Sequence, residues 1–321
     1  MKAEHDIQVS VICNTYNQES YIADAIESFL MQKTNFQFEI LVHDDASTDS
    51  TPNIIRQYKE KYPDIIKPIL QSENQLSKRV KISYTIQVPR AQGKYLAFCE
   101  GDDYWTDEQK LQKQFDYMEA HPDCYVCAHG AYLAQAETKK IIGTKVIKSP
   151  KQRYDLRDAI QGYGRSVATA SMFMRRDTLI SPPAFAFTAP CGDFIWPILG
   201  AEKGYLAYLP DIMCCYRVRA KNSYSQRWAQ DPQKLFRYYQ RYEIMLDQLN
   251  DYFSNSFSEE IEQERTRIWY TYNLSIGNKK ILKEQRYRQY YRTLPRKRRI
   301  ASFVKFYLPF LAPIYRKLSG K

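Results

Sequence analysis

Short apolar runs alternate with helically spaced apolar residues through the first third of the chain, and three of those runs end in polar, mostly acidic clusters. Ile7 to Cys13 reads as a strand, and Ser20 to Gln32 then places Ile22, Ala25, Ile26, Phe29 and Leu30 on one helical stripe. Phe38 to His43 is a second strand. Ser47, Thr48 and Asp49 follow as caps, and Pro52 sits in the first turn of a helix carrying Ile54, Ile55 and Tyr58. Ile65 to Leu70 is a weaker third strand and Tyr95 to Cys99 a more apolar fourth. Thr106, with Gln109 three residues on, fits a capping box ahead of Leu111, Phe115 and Met118. Alternation of this kind specifies an α/β fold, a mixed, mostly parallel sheet flanked by helices.

Beyond Pro122 the pattern loosens. Tyr125 to Ala134, Val167 to Met174 and Tyr205 to Tyr216 read as strands around a helical segment near Asp193 to Leu199, a continuation of the same domain. Asp231-Pro232 then opens an all-helical region, Asp as N-cap and Pro at the first position. The expected division is 1–228 for the α/β domain and 229–321 for a helical region ending in a basic amphipathic segment. There is no internal repeat and no long linker.

Ligands of open α/β sheets bind outside the carboxyl ends of the strands. Asn14-Thr15-Tyr16-Asn17, His43-Asp44-Asp45 and Glu100-Gly101-Asp102-Asp103 occupy three such ends, so parallel strands would bring them to one edge. The acids of these clusters repel one another unless a cation joins them, and an all-oxygen set suits Mg²⁺ or Mn²⁺ shared with substrate phosphates. Neither a G-x-x-x-x-G-K-[ST] nor a G-x-G-x-x-G loop follows the first strand, so a metal is the remaining means of neutralising a diphosphate. Against this stands the plainer reading that acids after strands cap the next helix, which suits Asp44 and Asp49 best.

Together the motifs resemble those of the inverting glycosyltransferases of family 2, which have the GT-A (Rossmann-like) fold. The resemblance is carried by Val9-Ser-Val-Ile-Cys-Asn-Thr-Tyr-Asn17, Asp44-Asp-Ala-Ser-Thr-Asp49, Arg90-Ala-Gln-Gly-Lys-Tyr95, Glu100-Gly-Asp-Asp-Tyr-Trp105 and Gly192-Asp193. It implies transfer of a sugar from a nucleotide-diphosphate donor, a UDP-sugar first, to a hydroxyl of a lipid-linked or polymeric glycan, as in bacterial cell-surface polysaccharide synthesis. The resemblance implies that Asn14 and Tyr16 border the nucleobase and that Asp45 hydrogen-bonds it. Glu100-Gly-Asp102 takes the place of the D-x-D motif, so Asp102, with Asp103 beside it, would bind metal and ribose–diphosphate. Asp193 matches the catalytic base. Three positions depart from the family pattern: Glu100 for the first Asp, Gly192 for the Glu before the base, and Arg219 where a His is frequent. Arg217, Arg219 and Lys221 are candidates to pair with the diphosphate directly, or else form a solvated basic loop. Lys78 and Arg79 are rough matches to an Arg that the family places before the D-x-D strand.

The remaining titratable residues read as structural. His43, His121 and His129 lack ligand spacing. Cys124-Tyr-Val-Cys127 lies inside an apolar run, where buried cysteines behave as small hydrophobes. Seven cysteines do not form a disulfide framework, the polar start Met1 to Asp6 has no leader-like apolar stretch, and no run is long enough to span a bilayer. A reducing cytoplasm is the expected compartment.

The net charge of +11 belongs to the end of the chain: residues 286–321 hold 11 cations and no acid, leaving 36 cations against 36 anions elsewhere. Ile300, Phe303, Tyr307, Leu311, Ile314 and Leu318 fall on one helical stripe that Pro309 and Pro313 interrupt. With Arg296-Lys-Arg-Arg299 before it and Arg316-Lys317 at its close, the segment reads as an interfacial membrane helix meeting an anionic surface, peripheral to the inner face of the plasma membrane. The alternative is that the stripe packs on the protein itself. Nucleic acid is not expected, because a neutral body offers no extended basic channel. Two other classes compete with the transferase: a nucleotidyltransferase, which lacks its glycine-rich loop here, and a non-catalytic membrane- or RNA-binding protein with a degenerate sugar-nucleotide domain.

Overall fold

β1 (Ile7–Thr15), buried along its centre, is the strand on which the sheet is organised. The computed structural model describes residues 7–149, 151–162, 167–221, 223 and 231–308. The other strands are β2 (Gln37–Asp44), β3 (Ile69–Leu70), β4 (Tyr95–Phe98), β5 (Tyr104–Trp105), β6 (Cys124–Gln135), β7 (Ile141–Lys145), β8 (Arg153–Tyr154), β9 (Phe173–Arg175) and β10 (Tyr205–Val218). Their order is β3-β2-β1-β4-β9-β6-β10-β5, with β7 on β6 and β8 on β10. β1 pairs in parallel with β2 on one side and β4 on the other, and β6 with β10. β9 runs antiparallel between β4 and β6. Chain order therefore reverses at β1, the switch point at which such sheets open a crevice.

Helices α1 (Ile22–Leu30), α2 (Thr51–Lys61), α3 (Lys110–Ala120) and α4 (Gly192–Lys203) belong to the sheet's unit. α1 buries Ile22, Ala25, Ile26 and Phe29, the stripe that its sequence spacing predicts, and Phe29 meets Trp105 at 4.7 Å. The mixed, mostly parallel sheet with flanking helices is the architecture expected. Three local readings change. The capping box at Thr106 does not form: α3 starts at Lys110, and the Thr106 N–H is taken by the Met213 carbonyl at 3.0 Å. The third strand shrinks to two residues. Within the expected strand Val167 to Met174 lies a 3₁₀ turn, Thr169–Ser171, because the Ser171 N–H and hydroxyl both turn back to the Ala168 carbonyl.

Two compact units divide the chain, Met1–Phe187 with Cys191–Arg227, and Thr188–Pro190 with Trp228–Lys321. The second contains α5 (Pro232–Tyr252), α6 (Ser258–Ser275), α7 (Gln285–Thr293) and α8 (Arg296–Tyr307). Asp231 caps α5 by accepting from the N–H groups of Gln233 and Lys234. Arg265 of α6 is caged by Glu243, Asp247 and Glu262. Among the described residues no helix is long and apolar enough to cross a membrane. Leu311, Ile314 and Leu318 of the predicted tail stripe lie outside the described residues.

Candidate active site

The loops after β1 and β4 meet at the switch point. The Gly101 N–H donates to the Asn14 carbonyl at 3.0 Å, closing the Glu100–Asp103 loop onto the end of β1. A Cβ at Gly101 would lie 2.5 Å from Gln18 Oε1 and 2.7 Å from Thr15 Oγ1, so only glycine allows the approach. Asp102 is nearly buried beside the exposed Glu100. Among the described residues no group of three or more His, Cys, Asp or Glu forms a ready-made metal site. The donor set at this loop is carboxylate oxygen, and one or two carboxylates completed by substrate phosphates is how Mg²⁺ and Mn²⁺ are held in phosphate chemistry; Glu100 and Asp102 fit that arrangement.

Asp103 was expected beside Asp102 on the metal, but it faces the core. It is 1% exposed, and Oδ1 accepts the Arg217 N–H at 2.8 Å while Oδ2 has no hydrogen-bond partner. Burial, then the charges of Asp102 and Glu100, push its carboxyl well above the usual carboxylate range. Arg217 was expected on the diphosphate, and it too is corrected: its side chain has no exposure. The guanidinium donates to the Asp102 carbonyl at 2.8 Å, pairs with Asp24 of α1, and stacks over Tyr104 at 4.5 Å and Tyr21 at 5.2 Å. It is a clamp under the acidic loop. Arg219, two residues on, is exposed with φ +63° and keeps its cation available to solvent.

At the end of β1, Asn14 accepts from Gln87 Nε2 and donates to Ser83 Oγ, at 3.3 and 3.4 Å. Gln87 is fully buried and also donates to the carbonyls of Cys13 and Leu41, joining β1 to β2. Ser83 and Gln87 belong to a π-helical turn, a form frequent at functional sites. Tyr16, two residues after Asn14, is half-buried. Asp45 is buried and accepts from the N–H groups of Gln75 and Leu76 at 2.7 and 3.1 Å, so it already anchors the loop after β3 and offers only its remaining lone pairs to a base. Lys78 pairs with Glu73 in that loop, and Arg79 adopts φ +66°. Asp44 and Asp49 tie down the loop between β2 and α2: Asp44 accepts from Ser47, and Asp49 from the N–H groups of Thr51 and Glu19, while Ser50, the N-cap of α2, makes no side-chain capping bond.

Asp193 stands in the first turn of α4, half-buried, with a buried Oδ1 that has no hydrogen-bond partner. Trp196, which sequence reasoning missed, fixes this turn. Its indole donates to the Tyr84 hydroxyl at 3.0 Å, packs on Phe98 of β4 at 4.3 Å, and fills the space above Gly192, where a Cβ would lie 2.4 Å from the ring. Gly192 replaces the family's Glu because Trp196 already occupies that space; the unusual glycine was the available clue.

His43 and His129 are buried and their pKa values are lowered by burial. His121 Nδ1 lies 2.8 Å from the Tyr117 carbonyl oxygen. Cys124 and Cys127 are buried free thiols. The Arg90–Tyr95 segment lies at the amino end of β4, where Gly93 and Gln92 N–H groups bond Ser10 and Glu39.

The profile of Glycosyl transferase family 2 matches residues 10–181. An uncharacterized protein of Mycobacterium tuberculosis is 35% identical over 215 residues, 66% of this chain and 59% of that protein, so the match spans well under two thirds of that relative's length. The putative teichuronic acid biosynthesis glycosyltransferase TuaG of Bacillus subtilis is 28% identical over 68% of this chain and 82% of its own. Two solved structures share the fold. Staphylococcus aureus TarS 1-349 in complex with UDP-GlcNAc aligns with a TM-score of 0.57 at 17% identity, over 94% of this chain and 80% of that one. The mannosyltransferase PcManGT of Pyrobaculum calidifontis, in complex with GDP-Man and Mn²⁺, aligns with a TM-score of 0.57 at 17% identity, over 99% and 89%. With more than half of its length matched and the motifs in place on the sheet edge, the chain belongs to glycosyl transferase family 2.

Proposed function

We propose that this chain is an inverting, metal-dependent glycosyltransferase. It moves a hexosyl or N-acetylhexosaminyl group from a nucleotide-diphosphate donor, a UDP-sugar first, to a hydroxyl of a lipid-linked or polymeric glycan in cell-surface polysaccharide synthesis. The observation that carries the reading is Asp193: an acid with an unpartnered buried oxygen, in a helix turn that Trp196 ties to β4, the strand that ends in the acidic loop. Asp193 takes the acceptor's hydroxyl proton, the freed oxygen lone pair attacks the anomeric carbon, and the bond from that carbon to the diphosphate oxygen breaks on the opposite face. Glu100 and Asp102 hold the ribose–diphosphate, and Mg²⁺ or Mn²⁺ bound by Asp102 would neutralise the departing charge. Arg219 supplies a cation to the diphosphate. Asn14 and Tyr16 border the nucleobase, and Asp45 shapes its wall. The uneven distribution of charge, a neutral body with a basic end, supports peripheral attachment to the inner face of the plasma membrane.

The test is a screen of UDP- and GDP-sugars with Mn²⁺ or Mg²⁺ on the full chain, followed by Asp193→Asn. The substitution lowers turnover by about 10²- to 10⁴-fold and leaves donor affinity unchanged. Full turnover in that variant overturns the base; absence of saturable, metal-dependent nucleotide binding overturns the transferase reading itself.

A further inference from the structure

α8 presents two unlike stripes. Ser302 and Phe306 are buried, and Phe306 meets Tyr270 of α6 edge-on at 5.9 Å in a small core with Ile281 and Tyr287. Ile300, Phe303 and Tyr307 lie on the neighbouring stripe and remain 44%, 48% and 46% exposed. The helix is thus anchored by residues other than the apolar stripe predicted from sequence, and the described part of that stripe stays about half exposed, with the Lys279 ammonium 5.5 Å from the Tyr307 ring at its end. Three large apolar side chains in a row on an exposed helix mark a surface meant to be covered.

The charge around this stripe states what covers it. Arg296 precedes Ile300 by one turn on the same stripe. Together with Arg299, Ile300, Phe303 and Tyr291 it lines a groove of about 290 Å³. Arg296, Lys297, Arg298 and Arg299 fill the first turn of α8, where the helix dipole already places positive charge and no acid is present. No acid occurs anywhere after Glu284, and the chain runs on past residue 308 with Arg316, Lys317 and Lys321 and three more apolar positions of the same period. A cationic rim around an apolar stripe is complementary to a surface with anionic headgroups over hydrocarbon. A nucleic acid would satisfy the cations and leave aliphatic Ile300 in water.

We infer that this stripe of α8 is a docking face for an anionic phospholipid bilayer. Ile300, Phe303 and Tyr307 enter the interface, and Arg296 and Arg299 meet headgroup phosphates. The inference rests on the membrane attachment proposed above and names the residues that make it. Co-sedimentation of the full chain with vesicles of phosphatidylglycerol and phosphatidylcholine, against phosphatidylcholine alone, tests it. The chain binds the anionic vesicles and not the neutral ones. Ile300→Glu with Phe303→Glu, and separately Arg296→Gln with Arg299→Gln, each lower the partition coefficient at least tenfold with the far-UV circular dichroism unchanged. Wild-type binding by both variants overturns the docking face; if truncation after Leu308 then abolishes binding, attachment stands but belongs to the distal residues. Failure of the full chain to bind anionic vesicles overturns attachment as well, without touching the glycosyltransferase reading. Binding to single-stranded RNA that exceeds binding to anionic vesicles and is lost in the arginine variant replaces the lipid as partner.

Discussion

The two units use arginine in opposite ways. In the α/β unit, Arg217 is sealed between Tyr21 and Tyr104 and bonded to Asp24 and the Asp102 carbonyl. In the helical unit, Arg296, Arg298 and Arg299 are all exposed in one helical turn that contains no acid. A buried cation with matched partners is worth its desolvation only because it fixes geometry, here the position of the acidic loop. Among the described residues these three arginines have no ion-pair partner, so they fix nothing there. Their cost is small and their use lies outside the chain. The contrast separates a cation that holds the acidic loop from cations that the proposed membrane attachment uses.

The largest test of that contrast is Arg217→Met. Removing one member of a buried charged cluster leaves Asp103 with less compensation, and breaking such a pair costs about 3–5 kcal/mol. Urea unfolding measures the loss, and the apparent affinity for Mn²⁺ falls with it because the Asp102 loop is no longer clamped. Arg217→Lys retains the charge without the planar fork and recovers only part of both. A loss below about 1 kcal/mol would put Arg217 in the class of surface cations and break the comparison.

Lys110 sharpens it. Its ammonium is fully buried, bonded to Gln114 Oε1 at 2.7 Å and held 4.1 Å over the Trp105 ring. Burial lowers its pKa from 10.5 to about 8. Between these values the unfolded chain binds more protons than the folded one, so stability rises with pH across that window and the cost of the buried charge is fully present below it. The difference amounts to about 3 kcal/mol, at about 1.4 kcal/mol per unit. Denaturant midpoints at pH 7.5 and 10 measure it as the slope that disappears in Lys110→Met; an identical slope in both proteins refutes the assignment.

Gly192→Glu restores the family's residue and collides with Trp196. Overpacking of this kind costs about 1–3 kcal/mol, and here the strain falls on the turn that carries Asp193. Turnover drops while donor affinity holds. Trp196→Ala in the same chain relieves the collision, so the double variant turns over faster than Gly192→Glu alone. Additive losses would show that Trp196 does not set the turn.

Much of this was legible in the sequence because it is local. The polar clusters after β1, β2 and β4 and the Asp231 cap all lie within a few residues of the elements they serve. What was not legible depends on partners far apart in the chain. Arg217 reads as a partner for the diphosphate, or else as a solvated basic residue, until Asp24 and the Asp102 carbonyl, 193 and 115 residues away, are brought to it. Asp103 reads as the twin of Asp102, although the turn closed by the Asp103 N–H on the Glu100 carbonyl leaves Asp103 1% exposed, with the Arg217 N–H, 114 residues away, on its carboxylate. Apolar period picks out Ile300, Phe303 and Tyr307 of α8 but misses Ser302 and Phe306, because the helix is held by a neighbouring stripe that contains a small polar residue.

The smallest expected effect bears on the exposed cations themselves. Arg298 sits in the first turn of α8 among Arg296, Lys297 and Arg299, and it does not line the groove. At a helix N-terminus a cation is unfavourable and an acid favourable, each by about 0.3–1 kcal/mol. Arg298→Glu therefore raises the stability of the helical unit by about that amount, read as a small increase in melting temperature at low salt that shrinks at about 1 M, where the Debye length falls to roughly 3 Å. The same substitution at Arg296 gives a similar gain in stability but a larger loss of vesicle binding, because Arg296 is on the docking stripe. A fall in melting temperature for Arg298→Glu would mean that these arginines are held by the protein, as Arg217 is, and that the two units do not differ in kind.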